Sequence, residues 1–229
     1  PKRGSRLAYA TSKSPTGPFT YRGYIVDNGV DYPGGNNHGS VACINGQWYI
    51  FYHRMTNGTI ASRRGCVEKI TILPDGTIPP VEMTSLGFED SLNPYEITPA
   101  DLACVLKGGA FVTEKNVFDR VVTNIQDGSV IGYKYYDFGD DFGSKTMGFS
   151  AKILGMGCDA VMHILIDGED GEEIGCCRIG HDSSAIHTIV KSVTGRHAVF
   201  FKITTEYVGW MGEMFRGRNL FELCSFVFL

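Results

Sequence analysis

The 229 residues predict an all-β protein in two parts. Three observations carry this. Twenty-nine glycines and many Tyr, Phe and Val residues describe short strands joined by tight turns. Apolar and polar residues alternate over short runs closed by pairs such as Asn45-Gly46, Asp127-Gly128 and Asp167-Gly168. A helical period is hard to find anywhere in the first half.

The elements follow in order. Residues 6–12 are the first expected strand, and 14–18 (Ser-Pro-Thr-Gly-Pro) a turn cluster. Residues 19–26 are the next strand. Residues 28–37, rich in Gly and Asn, form a loop. Residues 38–44 and 47–53 make a hairpin around Asn45-Gly46, the strongest short-range turn signal. Residues 65–73 are another strand, closed by Pro74-Asp75-Gly76. Around residues 84–98 no period holds, which marks a connection. The expected domains are 1–85 and 97–229, joined by 86–96. Charge shifts there as well: nine basic and eight acidic residues up to Glu96, then twelve basic and seventeen acidic. The second part carries strands at 129–139, 146–153, 160–166, 173–179, 186–193, 198–204 and 220–229, and a Gly-rich loop at 209–217. That spacing suggests a β-sandwich or jelly roll. A length of about 130 residues suits one such domain.

Composition sets bounds. Hydrophobic content of 43% and charge of 20% describe an ordinary globular chain. A net charge of −4 argues against a phosphate-binding surface, hence against a nucleic-acid partner. No apolar run is long enough to span a bilayer, so no membrane is expected. The first residue is Pro1 and no signal peptide is present, so a processed or truncated product is expected; export of the parent stays open. Seven cysteines leave at least one unpaired, and no Cys-x-x-Cys pair points to zinc. Buried, reduced cysteine is the expectation rather than a disulfide framework.

The run Asn36-Asn37-His38-Gly39-Ser40-Val41, then Asn45-Gly46-Gln47-Trp48-Tyr49-Ile50-Phe51-Tyr52-His53-Arg54, then Ser62-Arg63-Arg64-Gly65-Cys66, resembles the last blade of a family 43 glycoside hydrolase. That resemblance implies a partial five-bladed β-propeller, its last blade and part of the one before. Asn124-Ile125 with Asp127-Gly128, Tyr133 and Asp137-Phe138-Gly139, then Ile164–Asp167, Gly195–Phe201 and Phe226-Val227-Phe228, resemble a family 6 carbohydrate-binding module. This implies a jelly roll for the second part.

What these resemblances imply can be set against the residues. Inverting hydrolysis of a glycoside needs an acid to protonate the leaving oxygen and a carboxylate to activate water. None of Asp27, Asp31, Glu68, Asp75, Glu82, Glu89, Asp90 and Glu96 matches the family's catalytic positions, which lie upstream of this segment. No catalytic residue is therefore assigned, and the chain alone is expected to be inactive. His38 would sit on the propeller axis beneath the active site and help hold a hydrated calcium ion, in the complete propeller only. The alternative is a buried histidine bonded to backbone. One ligand cannot hold calcium, which takes about six to eight oxygens. Arg63 would bond a sugar hydroxyl with its fork of donors, Arg64 facing the other way; the alternative is a pair of solvated edge charges. His53 and Arg54 read as structural.

In the second part, Phe118 is a candidate sugar-stacking ring. The loop at 181–187 lacks the Trp usual in the family, and Glu222 and Cys224 stand where Asn or Asp is favoured. Trp210 either forms a different sugar site or plugs the domain interface, the second being preferred. Tyr133 and Tyr135 should share a strand face and pack in the core. Asp101 is the nearest substitute for the acidic ligand of a structural calcium; no cofactor is needed for chemistry. The function implied is the C-terminal part of a bacterial glycoside hydrolase acting on xylan, arabinoxylan or arabinan, its parent an inverting α-L-arabinofuranosidase or β-xylosidase. The alternative is a non-catalytic carbohydrate-binding or structural β-sandwich. An open propeller edge implies possible dimerisation.

Overall fold

The computed structural model describes residues 5–29, 37–59 and 63–229. The chain divides into two compact units, Pro1–Phe88 and Glu89–Leu229.

The first unit holds two small antiparallel sheets. Strands β1 (Arg6–Thr11) and β2 (Thr20–Asp27) pair with register shifts at Leu7/Ala8 and Tyr9/Ala10. Strands β3 (Ser40–Ile44), β4 (Gln47–Arg54) and β5 (Arg64–Ile70) form a three-stranded sheet in that order. Asn45 and Gly46 take φ of 50° and 84°, the pair of left-handed residues that a tight hairpin between right-twisted strands requires. Most of the expected loop at 28–37 lies outside the described residues. The expected strand at 65–73 stops at Ile70, and the turn after it closes with Gly76 N–H donating to Leu73 O at 2.8 Å. A core of Ile25, Val26, Ile50, Tyr52, Ile70, Ile78 and Met83 joins the two sheets. The segment after β5 runs back across them, with Val81 N–H donating to Ile25 O at 2.9 Å.

The second unit begins with β6 (Thr98–Pro99), a 3₁₀ turn at Ala100–Leu102, β7 (Val105–Lys107), β8 (Phe111–Glu114) and β9 (Arg120–Thr123). It continues with β10 (Val130–Asp137), β11 (Thr146–Gly155), β12 (Ala160–Ile166), β13 (Glu172–Ile179) and β14 (Ala185–Lys191). It closes with β15 (Arg196–Thr204), the helix α1 (Gly209–Phe215) and β16 (Phe221–Phe228). Two antiparallel sheets form, β13-β12-β15-β10-β7 and β14-β11-β16-β9-β8, with β6 added to β16. Between them lies an aromatic core. Phe226 sits 4.9 Å from Phe201 and 4.8 Å from Tyr133, both edge-on, and Phe149, Phe228 and Phe138 extend the stack. Edge-to-face packing of this kind adds to the area term by aligning ring edges with ring faces.

Three expectations change. Tyr133 and Tyr135 do not share a face. The register between β10 and β15 slips between Tyr133 and Tyr136, so Tyr136 takes the inward position and both Tyr133 and Tyr136 are fully buried. Tyr135 instead packs on an outer cluster with Leu165 and Phe200, under Arg196 at 4.0 Å. The bulge is stitched by Leu92, whose N–H donates to Tyr135 O while its C=O accepts from Asp137 N–H. Second, the expected loop at 209–217 contains α1. Third, all seven cysteines are free, as expected, but Cys43 and Cys176 are exposed rather than buried.

Candidate functional site

In the first unit the register gathers the basic residues at one end of the three-stranded sheet. His53 lies opposite Gly65 and Arg54 opposite Arg64. His38 precedes β3, and its ring centroid stands 5.3 Å from that of His53 at a 38° tilt. Gly39 makes this approach possible. A Cβ there would meet Phe51 O at 2.6 Å and the Leu7 side chain at 2.7 Å, so any larger residue would push His38 off the sheet. His38 is exposed, not buried. Arg63 is exposed just before β5, and Arg64 is partly buried within it. The structure thus brings His38 and the Arg63-Arg64 pair to the same sheet end, and adds His53, expected to be structural. Arg54 is buried, as a structural residue should be. Asn28 Nδ2 donates to His53 O at 3.1 Å and ties β2's end to this corner.

Three acids of this unit, Asp27, Asp75 and Glu68, have structural occupations. Asp27 pairs with Arg6 Nε at 2.7 Å. Asp75 accepts from Thr77 N–H and Oγ1–H across a turn, which holds its carboxyl below the usual range. Glu68 is the unexpected one. It is 5% exposed and accepts three hydrogen bonds, from Tyr52 O–H at 3.1 Å, Thr84 N–H at 2.7 Å and Thr84 Oγ1–H at 2.7 Å. Burial pushes its carboxyl above the ordinary value, against the opposing pull of those donors and of nearby Arg54. Burial also raises the Tyr52 phenol, and the charge of Glu68 raises it further. The signal for an inward Glu was present in β5, where Cys66, Glu68 and Ile70 share the alternation phase of the core face. Glu68 clamps the segment at 84 to the sheet and is enclosed, so it does not face a substrate.

In the second unit, the two predicted rings lie at opposite ends of the sandwich. Phe118 is 89% exposed at the tip of the β8–β9 hairpin, where its N–H donates to Asn116 Oδ1. Strand β9 leads away from that tip to Ile125, whose O accepts from Leu220 N–H at the other end. Trp210 is at that other end, 73% exposed on α1. The β15–β16 connection that carries it is braced. Tyr207 stacks on Phe215 at 4.1 Å and 12°, Arg218 lies over Phe215 at 5.5 Å, and Asp159 N–H donates to Tyr207 Oη at 2.7 Å. Beside it opens a groove of about 460 Å³ between Asp159–Val161, Arg178–Gly180, Glu206–Val208 and Met211. Glu222 is buried on β16, accepting from Thr123 Oγ1–H at 3.1 Å and paired with Lys115 at 2.5 Å, so it serves the fold.

Asp101 faces Arg120 at 3.9 Å, and among the described residues no three His, Cys, Asp or Glu side chains gather as a metal site. Asp101 alone does not supply the six or so oxygens calcium takes. Among the described residues no helix is long and apolar enough to cross a membrane.

No family model matches the chain. Known proteins do. The chain is 44% identical over 165 residues to a xylosidase/arabinosidase of Thermoclostridium stercorarium, covering 57% of this chain and 35% of that one. It is 31% identical over 224 residues to an arabinoxylan arabinofuranohydrolase of Bacillus subtilis (strain 168), covering 89% of this chain and 42% of that one. A solved glycoside hydrolase family 43 arabinoxylan arabinofuranohydrolase from Bacillus subtilis, in complex with cellotetraose, superposes with a TM-score of 0.56 at 28% identity, over 97% of this chain and 47% of that one. The chain therefore spans less than half the length of these relatives. The chain belongs to glycoside hydrolase family 43, as the counterpart of part of such an enzyme.

Proposed function

We propose that this chain is part of an enzyme that removes terminal arabinofuranosyl or xylosyl residues from plant-cell-wall arabinoxylan, arabinan or xylan, with inversion. The observation that carries the reading is the 31% identity across 89% of the chain to an arabinoxylan arabinofuranohydrolase. Inversion requires two carboxyl groups about 6.5–9.5 Å apart with a water between them. Asp27, Glu68 and Asp75 are each committed to a salt bridge, a buried clamp or a turn. The bond-breaking pair is therefore proposed to come from outside these residues. His38 and Arg63 would form part of the floor on which the sugar sits, with His38 turned toward a hydrated cation in the complete propeller. The second unit would bind the polysaccharide.

The test is release of sugar from 4-nitrophenyl α-L-arabinofuranoside, 4-nitrophenyl β-D-xyloside and wheat arabinoxylan. The 229-residue chain is expected to give no turnover, and clear turnover would overturn the assignment of the catalytic pair elsewhere. A second reading makes the chain a carbohydrate-binding protein without catalysis, favoured by the exposed ring of Trp210. Affinity electrophoresis on arabinoxylan and xylan checks it, with retardation expected. Among the described residues β3 pairs with β4 alone and exposes Val41 and Ile44. We propose that this edge supports self-association, to be read as a concentration-dependent size-exclusion profile that Val41→Lys abolishes.

A further inference from the structure

We propose that the α1 loop between β15 and β16 is a glycan-binding site, with Trp210 as the stacking platform and the groove beside Val208 and Met211 as the adjoining subsite. This rests on the reading that the second unit handles plant-cell-wall polysaccharide; it adds where that contact is made and by which residues.

The platform comes first. Trp210 is one of two tryptophans in the chain and keeps 73% of its surface in water. Such a ring fills no core. It stands on a short helix held on both flanks, by the Tyr207–Phe215 stack and by Arg218 Nε donating to Met214 O at 3.2 Å. Met214, 47% exposed, follows Trp210 by four residues and so lies on the same helix face. Together they offer an apolar surface to the C–H face of a sugar ring. A pre-organised platform loses little entropy on binding.

The groove comes second. Its volume of about 460 Å³ falls in the range of small-ligand sites, about 300–1,000 Å³. Its apolar wall is Val161, Ile179, Val208 and Met211, and its polar groups are Asp159, Arg178 and Glu206. Arg178 Nη2 donates to Glu206 Oε1 at 2.7 Å, and Asp159 Oδ1 accepts from His181 N–H at 2.9 Å. Acceptors and donors of both signs sit side by side, so neither a phosphate nor a bare cation is favoured. A neutral polyol satisfies both, its hydroxyls donating to the carboxylates and accepting from the guanidinium. An apolar wall with a few convergent polar groups suits a sugar, which has both kinds of surface.

The experiment uses the whole chain and xylohexaose, cellohexaose and soluble arabinoxylan as probes. Isothermal titration is run on the unaltered chain and on Trp210→Ala, Arg178→Ala and Phe118→Ala. Trp210→Ala is expected to weaken binding about tenfold or more, as loss of a central aromatic anchor does. Arg178→Ala should weaken it severalfold, and Phe118→Ala, at the far end, should leave it unchanged. Because Trp210 is exposed, its removal should keep the thermal midpoint, which is measured alongside. In a Trp48→Phe background, where Trp210 is the sole tryptophan, emission should shift saturably on adding the bound sugar. Binding that is unchanged by Trp210→Ala but lost in Phe118→Ala would overturn the α1 site while leaving a glycan-binding unit. No binding of any probe by the unaltered chain would overturn both.

Discussion

The two units differ in the core each builds. The sandwich closes on itself: Tyr133, Tyr136, Phe149, Phe201, Phe226 and Phe228 are each 2% exposed or less, shut between two sheets. The blade unit joins five strands through a small core and leaves Phe19 63%, Tyr21 70% and Ile44 41% exposed. A sandwich needs only two sheets, whereas propeller blades bury their faces on neighbouring blades. The difference separates two kinds of sequence information. Residues of the sandwich specify a finished unit. Residues of the blade specify a part, whose exposed rings and basic corner at His38, His53, Arg63 and Arg64 gain their meaning from what lies beside them.

The contrast can be broken most forcefully at Phe226. Phe226→Ala removes a ring that contacts Tyr133, Phe149 and Phe201, and should cost the sandwich about 3–5 kcal/mol. Urea titration read by tryptophan emission separates the units, because Trp48 reports the blade and Trp210 the sandwich. The Trp210 transition should move to lower urea and the Trp48 transition should stay. A common shift would mean that the units unfold as one.

A smaller effect is expected in the blade at Glu68. Glu68→Ala strips acceptors from Tyr52 and from both donors of Thr84, leaving buried groups unpaired at a cost of about 1–3 kcal/mol. The Trp48 transition should report it and the Trp210 transition should not. The pH dependence has a defined sign. Burial raises the Glu68 carboxyl above its unfolded value, so the native blade binds the proton more tightly than the unfolded chain. The contribution of Glu68 to stability is therefore greatest below the unfolded value near 4.3 and falls as pH rises through the raised native value. Glu68→Gln should remove that dependence. A blade transition with the same pH slope in Glu68→Gln would assign the slope to other groups.

The smallest effect belongs to the Arg6–Asp27 pair on the edge hairpin. Arg6 is partly exposed, so Arg6→Ala should cost less than about 1 kcal/mol and less still in high salt. A loss above about 2 kcal/mol would show that this pair organises the corner around Asn28.

Much of the architecture was legible in the sequence where side-chain alternation and turn chemistry agree. Ala160–Ile166 ends in Asp167-Gly168 and is a strand over the expected residues. Asn45-Gly46 adopts the turn its composition demands. What escaped has physical causes. Strands β7, β8 and β9 are three or four residues long, too short for a period to show. The bulge between Tyr133 and Tyr136 inverts the face of Tyr135, and the partner that stitches it, Leu92, lies some forty residues earlier (see the Leu92–Tyr135 and Asp137–Leu92 bonds). Helix α1 was hidden by its glycines: Gly209 and Gly217, with φ of 59° and 72°, bound a segment whose Trp, Met, Glu, Met and Phe are compatible with a helix. At the candidate sites, residue type was visible but placement was not. Nothing local in the sequence indicates that Thr84 would close over Glu68, or that Phe118 and Trp210 would lie at opposite ends.

Native-state amide hydrogen exchange on the 229-residue chain tests the contrast between a finished sandwich and an unfinished blade most directly. Amides of β10, β15 and β16 should be protected roughly a hundredfold or more beyond those of β3 and β5. Equal protection across both units, or a blade more protected than the sandwich, would contradict it.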